Sequence, residues 1–314
     1  MSPPIPSLLH LTPLLPSEIP AHPSIPSPLP PSPNGETTDS RPPLPLFIQA
    51  ALTQAREFIT TSIPGKSFTA EPKLRSSPPS SSQVQVSSGI IKHTTLTGKT
   101  PAADSKGDKW FARRTVLENR AVKGTASFQE FVGGLKDNHL LNEVEYEPKI
   151  SAIEDIAKWD CSGVEVEGGW SGVGASLSLV THTFQPANLI SQRVYLSLVI
   201  TAFTPPESPT SAEPTGFINI QLPIHFSAIP SSISLPKGAI QAKYVSVEQV
   251  RILPEAGDSA VPGKIEWIMA TSANAGGLIP GFLQHSGIPT AIVKDVGRFL
   301  KWVDERRANK VAEE

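Results

Sequence analysis

Ionisable residues that interrupt apolar runs are the first candidates for chemistry in this chain. Arg193 precedes Val-Tyr-Leu, Glu248 and Arg251 lie within 244–253, and Glu266 stands beside Trp267. In an extended strand, alternation places Tyr244, Ser246, Glu248 and Val250 on one face and Val245, Val247, Gln249 and Arg251 on the other. By the same rule Glu266, Ile268 and Ala270 oppose Ile265, Trp267 and Met269. Such charges either face water from the open side of a sheet or stand in a cavity as polar anchors for a ligand. The spacing alone leaves both readings open.

Other chemistries fail on spacing. Gly98-Lys99-Thr100 and Gly65-Lys66-Ser67 end like phosphate loops, but His93 and Thr60 occupy the position of the required first glycine. Gly172 and Gly174 need a third glycine where Leu177 stands. Gly169-Trp170-Ser171-Gly172 lacks the closing glycine of a nucleophile elbow, because position 173 is valine. The seven histidines are scattered and none pairs at metal-ligand spacing, so no metal and no cofactor is expected. Cys161 has no base marked for it in the sequence and reads as a structural thiol.

The elements that would position the polar residues are strands. Candidates fall at 110–119, 175–184, 193–203, 216–224, 239–253 and 263–272, with β-like character also at 88–98. Turn-rich pieces rather than helices separate most of them, which predicts an antiparallel meander. Helical spacing predicts a helix over 46–62, stopped by Pro64, and a second short one over 150–158. Ser127 with Glu130 forms a capping box ahead of a helix running towards His139. Residues 99–109 read as a surface connection. The last element is a long amphipathic helix with Pro289 in its first turn. Its stripe is Ile292, Val296, Phe299 and Val303, which must cover something apolar.

Composition narrows the function classes. The 314 residues carry a net charge of −2, one cysteine and 33 prolines, fifteen of them before residue 46. Near-neutral charge gives no reason to expect nucleic acid as a partner, and one cysteine excludes a disulfide scaffold. No run approaches the ~20 apolar residues of a spanning helix, and prolines break the leucine-rich start, so a cytoplasmic protein is expected. Residues 1–45 read as a Pro/Ser-rich, largely disordered segment, and 46–310 as the folded domain. Within that domain the reading is a helix at 46–62, a flexible loop at 64–87 and a main body at 88–307.

The block Ile265-Glu266-Trp267-Ile268-Met269-Ala270-Thr271, then Ala275-Gly276-Gly277-Leu278-Ile279-Pro280 and the closing helix, resembles the START-like lipid-binding superfamily. Trp110-Phe111-Ala112-Arg113-Arg114, Ser127-Phe128-Gln129-Glu130-Phe131 and Tyr244-Val245-Ser246-Val247-Glu248 are similar to a fungal START-related family of uncharacterised function. The resemblance covers most of 88–307. It implies an α+β helix-grip fold, a curved antiparallel sheet wrapped around a long C-terminal helix. It implies a non-enzymatic role, binding or transfer of a lipid or other hydrophobic small molecule, with transient membrane contact. Arg193-Val194-Tyr195 looks like the superfamily's Arg-Asp-aromatic strand, but Val194 replaces the aspartate and Val199 replaces a second, cavity-facing arginine.

On this reading Ile292, Val296 and Phe299 form the lid side of a cavity, and Tyr195, Val199 and Met269 its sheet side. Arg193, Glu248 and Glu266 are the polar anchors, and Gly276, Gly277 and Gly287 candidate hinges. Two alternatives stay open. A polyketide cyclase or aromatase would place acid/base groups in the same cavity. A Pro-rich interaction protein would recruit partners through segments such as Pro13 to Pro16.

Overall fold

The computed structural model describes residues 7–27, 40–92, 107–184, 190–206, 213–253, 263–277 and 281–313. Its centre is a ten-stranded sheet in the order β1-β2-β3-β10-β9-β7-β6-β5-β4, with β8 added beside β6. The strands are β1 Phe68–Ala70, β2 Val84–Ile91, β3 Asp108–Glu118, β4 Ile150–Trp159, β5 Ser171–His182, β6 Arg193–Phe203, β7 Gly216–Pro223, β8 Ile240–Gln241, β9 Lys243–Ile252 and β10 Lys264–Asn274. All pairings are antiparallel except β6 with β8. From β4 to β10 the chain meanders, as the turn-separated strands predict.

The inner face is covered by α2 Phe128–Phe131, α3 His139–Tyr146 and α4 Gly281–Glu313. Ser127 accepts from the Glu130 backbone N–H and Glu130 accepts from Ser127, the predicted capping box. A π-helical turn, Val132–Lys136, follows α2, and Asn138 at φ 51° separates it from α3. The helix expected to run on towards His139 is therefore broken. Phe131, Trp267, Val296, Phe299 and Val303 form the core beneath the C-terminal half of α4.

The outer face is largely covered, apart from the end that carries Arg114 and Arg251. It is covered by α1 Leu44–Glu57, its π-helical continuation Phe58–Lys66, and an extended strap, residues 7–27. Leu8, Leu14, Ile19 and Ile25 are buried among Ile218, Ile220, Leu222 and Val247. Leu14 bridges Ile224, with its N–H donating to Pro223 O and its carbonyl accepting from His225 N–H. The expected disorder of 1–45 is thus corrected for residues 7–27. Prolines forbid regular structure there, but they hold the strap extended and set its apolar side chains apart for burial. Residues 1–6 and 28–39 of that tract lie outside the described residues.

Four further expectations change. The loop assigned to 64–87 contains β1 and the start of β2. The helix at 150–158 is strand β4, whose register shifts between Ile150 and Ala152 and between Asp155 and Ala157. Each shift skips a residue, so Ile150, Ile153, Ile156 and Ala157 imitate a helical stripe. Pro289 lies inside α4, two turns beyond its start, rather than at the first turn. Of the connection read at 99–109, β3 takes the end and the rest lies outside the described residues.

Candidate functional site

The C-terminal half of α4 packs tightly on the sheet, and its N-terminal half does not. Ile288, Ala291, Ile292 and Asp295 roof a chamber of about 200 Å³. Tyr195 and Ser197 of β6, Tyr244 of β9, and Met269 and Thr271 of β10 form its floor. Leu140 and Glu143 of α3 close one side. An inner recess of about 40 Å³ continues from it and shares Glu143, Gln221, Tyr244, Met269 and Asp295 with the main chamber. Arg113, Asn219, Glu248, Trp267 and Phe299 line the recess.

The recess is built by cross-strand register. Arg113 of β3, Met269 of β10 and Glu248 of β9 lie directly opposite one another. Arg113 Nη2 donates to Glu248 Oε1 at 3.0 Å, and Trp267 Nε1 donates to the same oxygen at 2.7 Å. The guanidinium lies 3.9 Å over the Trp267 ring. Arg113 is 2% exposed, yet its Nε and Nη1 have no protein partner. Asn219, also 2% exposed, donates to Leu135 O but leaves Oδ1 unpartnered. His139 stands behind them with Nε2 3.1 Å from Gln221 Nε2, and burial lowers its basicity.

Carboxyl groups crowd the helix side. Burial, with Asp295, Glu248 and Glu147 nearby, pushes Glu143 up to about 8. Burial likewise raises Asp295 to about 6, against the pull of Arg113. Arg298 holds Glu147 and reaches Asp295 Oδ1 at 3.2 Å. Burial also raises the hydroxyls of Tyr244 and of Tyr195, the latter to about 12, and lowers His182 to about 4 with help from Lys149. The chamber therefore mixes apolar wall residues with Glu143, Glu147, Lys149 and Asp295, and burial favours the neutral forms of Glu143 and His182.

Several sequence expectations fall here. Tyr195, Met269 and Ile292 line the main chamber, and Glu248 and Phe299 line the recess. Val296 does not reach the chamber; it is fully buried in the core beneath α4. Val199 packs with Leu140, Ile150 and Val180 and faces a separate groove of about 370 Å³ beside β5. Arg193 spends its guanidinium on the carbonyls of Ala275 and Ser191 and anchors the turn after β10. Glu266 points to the other face, where Arg114 and Arg251 bind it at 2.6 and 2.7 Å. Gly276 and Gly277 hold φ of 65° and 67° against Ile240 and Gln241, so they fix a turn rather than hinge.

Arg113, Glu143 and Asp295 were missed by sequence reasoning. One signal was present for the first. Arg113 and Arg114 are adjacent in a strand, so a sheet covered on both faces must bury one of them. This arginine supplies the cavity guanidinium that Val199 cannot. Cys161 lies in an open groove at the β4–β5 end, where burial raises its thiol, the opposite of an activated nucleophile.

Known proteins agree with this architecture. The human StAR-related lipid transfer protein 5 superposes with a TM-score of 0.52 at 12% identity, over 82% of this chain and 97% of that one. Human STARD10 does so with a TM-score of 0.51 at 10% identity, over 83% and 84%. The fold is START-like. A Schizosaccharomyces pombe protein described as uncharacterized protein C577.11 is 22% identical over 204 residues, 65% of this chain and 72% of that protein. The family model described as a protein of unknown function, DUF3074, matches residues 110–303, the span from β3 to the packed half of α4, and the chain belongs to that family.

Proposed function

We propose that the chain binds a small hydrophobic or amphipathic molecule in the chamber beneath α4 and releases it at a membrane surface on the cytoplasmic side. One observation carries this reading: the N-terminal half of α4 roofs a chamber with more apolar than polar surface, and its recess holds unpartnered polar groups. The START-like fold supports it. Ligand sites usually span roughly 300–1,000 Å³. A chamber of about 200 Å³ takes a single short chain or compact ring system, and a two-chain lipid requires α4 to move. Removing ~200 Å² of ligand surface from water gains on the order of 5 kcal/mol before the costs of association.

Release bends α4 at Pro289. That residue donates no backbone hydrogen bond and lies within the roofing segment, after Ile288 and before Ala291, Ile292 and Asp295. Native mass spectrometry of protein purified from its own cells, with uptake from liposomes, tests the reading. A co-purified small molecule that Ile292→Trp displaces is the expected result. The absence of both a co-purified molecule and uptake would refute it.

A second reading is favoured by Glu143, whose carboxyl at about 8 is poised for proton transfer near neutrality. A cyclase-type enzyme would use it as general acid or base. Turnover of a polyketone probe that Glu143→Gln abolishes, with probe binding retained, would establish that reading; binding without turnover would eliminate it.

A further inference from the structure

We propose that the chamber selects an amphiphile whose polar end is a protonated amine beside a hydroxyl, the amine seated on Glu143 and the hydroxyl in the recess between Arg113 and Asn219. This rests on the reading of the chamber as a ligand site and adds the chemistry of the ligand.

Two of the cationic side chains nearby are already engaged, and Lys149, which also lines the chamber, lies 5.9 Å over the Phe184 ring. Arg113 is committed to Glu248 at 3.0 Å, and Arg298 is shared between Glu147 and Asp295. Glu143 is different. Among the described residues no lysine or arginine lies within ion-pair distance of it, and its nearest basic atom is His139 Nε2 at 3.9 Å. That imidazole is held neutral by burial and already meets Gln221. Glu143 thus faces Asp295, Glu147 and Glu248 with no positive charge of its own, and it lines both the chamber and the recess. A carboxyl that burial and its neighbours hold protonated gives up that proton when a cation arrives beside it.

Independent evidence comes from the recess. Asn219 Oδ1 is a buried acceptor without a donor, and Arg113 Nε and Nη1 are buried donors without an acceptor. Buried polar groups left unpaired are costly, so a group that both donates and accepts is favoured there. A hydroxyl does both. An anionic headgroup satisfies Arg113 alone and meets the carboxyls of Glu143, Glu248 and Asp295. A quaternary ammonium has no hydrogen to give Glu143. A primary or secondary amine next to a hydroxyl satisfies acceptor, donor and charge together.

The test uses the full chain and three probes of equal chain length: 2-aminooctan-1-ol, octan-1-ol and octanoate. Binding is measured by calorimetry near pH 7.5. The amino alcohol is expected to bind about tenfold more tightly than the alcohol, the scale of one charge-assisted contact of ~1.4 kcal/mol. Octanoate is expected to bind most weakly. Glu143→Gln should erase the tenfold advantage of the amine over octan-1-ol, with circular dichroism reporting that the variant is folded. Equal binding of amine and alcohol by the wild-type chain, or a preference that survives Glu143→Gln, overturns the amine assignment and leaves the chamber a ligand site. Failure of all three probes overturns the amine assignment together with the reading it rests on.

Discussion

Replacing Arg113 by methionine isolates the most consequential contact in the recess. Glu248 would keep only the Trp267 Nε1 donor at 2.7 Å and lose the guanidinium at 3.0 Å. Glu248 is 7% exposed, so water replaces the lost partner poorly. Breaking a buried pair from one side costs about 3–5 kcal/mol, because an uncompensated charge stays behind. The guanidinium also lies 3.9 Å over Trp267, which adds ~1 kcal/mol of cation–π contact. Glu248→Gln alone leaves Arg113 as the stranded ion and should cost a comparable amount. The double variant Arg113→Met, Glu248→Gln keeps a neutral acceptor for Trp267 and strands no charge. It should cost much less than the sum of the two single changes, with a coupling of about 2–3 kcal/mol. Urea unfolding followed by Trp fluorescence gives all four values, provided the slopes agree. Strict additivity, or a loss below ~1 kcal/mol for Arg113→Met, would show that solvent reaches the pair and that the recess is not a low-dielectric site.

Four other outcomes follow from the same coordinates. Gly297→Ala should lower thermal stability by about 2 kcal/mol or more, since a Cβ there would press on Pro78 O and lie 2.9 Å from Ser77 Oγ; an unchanged melting temperature would contradict the close approach of α4. Ile19→Ala, in the fully buried part of the strap, should cost about 2–5 kcal/mol, and a neutral result would show that the strap adds no stability. Between pH 4.5 and about 8 the folded chain retains a Glu143 proton that the unfolded chain has lost, so this group's contribution to stability falls as pH rises through that window. Glu143→Gln should therefore gain on the wild type from pH 5 to 8 and then level off; a gain independent of pH would refute the burial of that carboxyl. Pro289→Ala should slow octan-1-ol exchange measured by stopped flow with little change in affinity, whereas unaltered rates would place the opening elsewhere.

The legible parts of the fold were those whose periodicity survives folding. Strands β6, β7 and β9 lie close to the segments read from apolar runs, because each is bounded by turn-forming residues. Strand β4 was not legible, because two register shifts move its apolar residues from a period of two towards that of a helix. The strap was not legible for a different reason. Proline content excludes helix and sheet, but it does not exclude burial of Leu8, Leu14 and Ile19 in extended backbone. At the site, the inner face carries Tyr244 and Glu248 and the outer face Val247 and Arg251, an alternation the sequence predicts. What fixes the inward direction is the outer cover of α1 and strap, which no local pattern reveals. Glu143 and Asp295 look like ordinary exposed charges on amphipathic helices until α3 and α4 are brought together over the sheet.

The two faces of the sheet divide the work between stability and selection. On the outer face the strap and α1 bury aliphatic residues without interruption, from Leu177 across Leu198, Ile220 and Val247 to Ala270. That face supplies a continuous apolar core, while the inner face combines the aromatic cluster with groups that a core would reject. Arg113, Glu248, Asn219 and Gln221 are all buried there, on strands whose opposite side chains are apolar. Helix α4 repeats the division along its length. Val296, Phe299, Trp302 and Val303 lock its C-terminal half against Phe131 and Trp267, while Ile288, Ala291 and Ile292 only roof the chamber. Opening the roof therefore exposes few packed contacts and leaves the aromatic cluster intact. A site that must admit and release its ligand without unfolding requires that asymmetry, and in this chain the roofing residues end at Asp295, just ahead of the Val296–Val303 cluster.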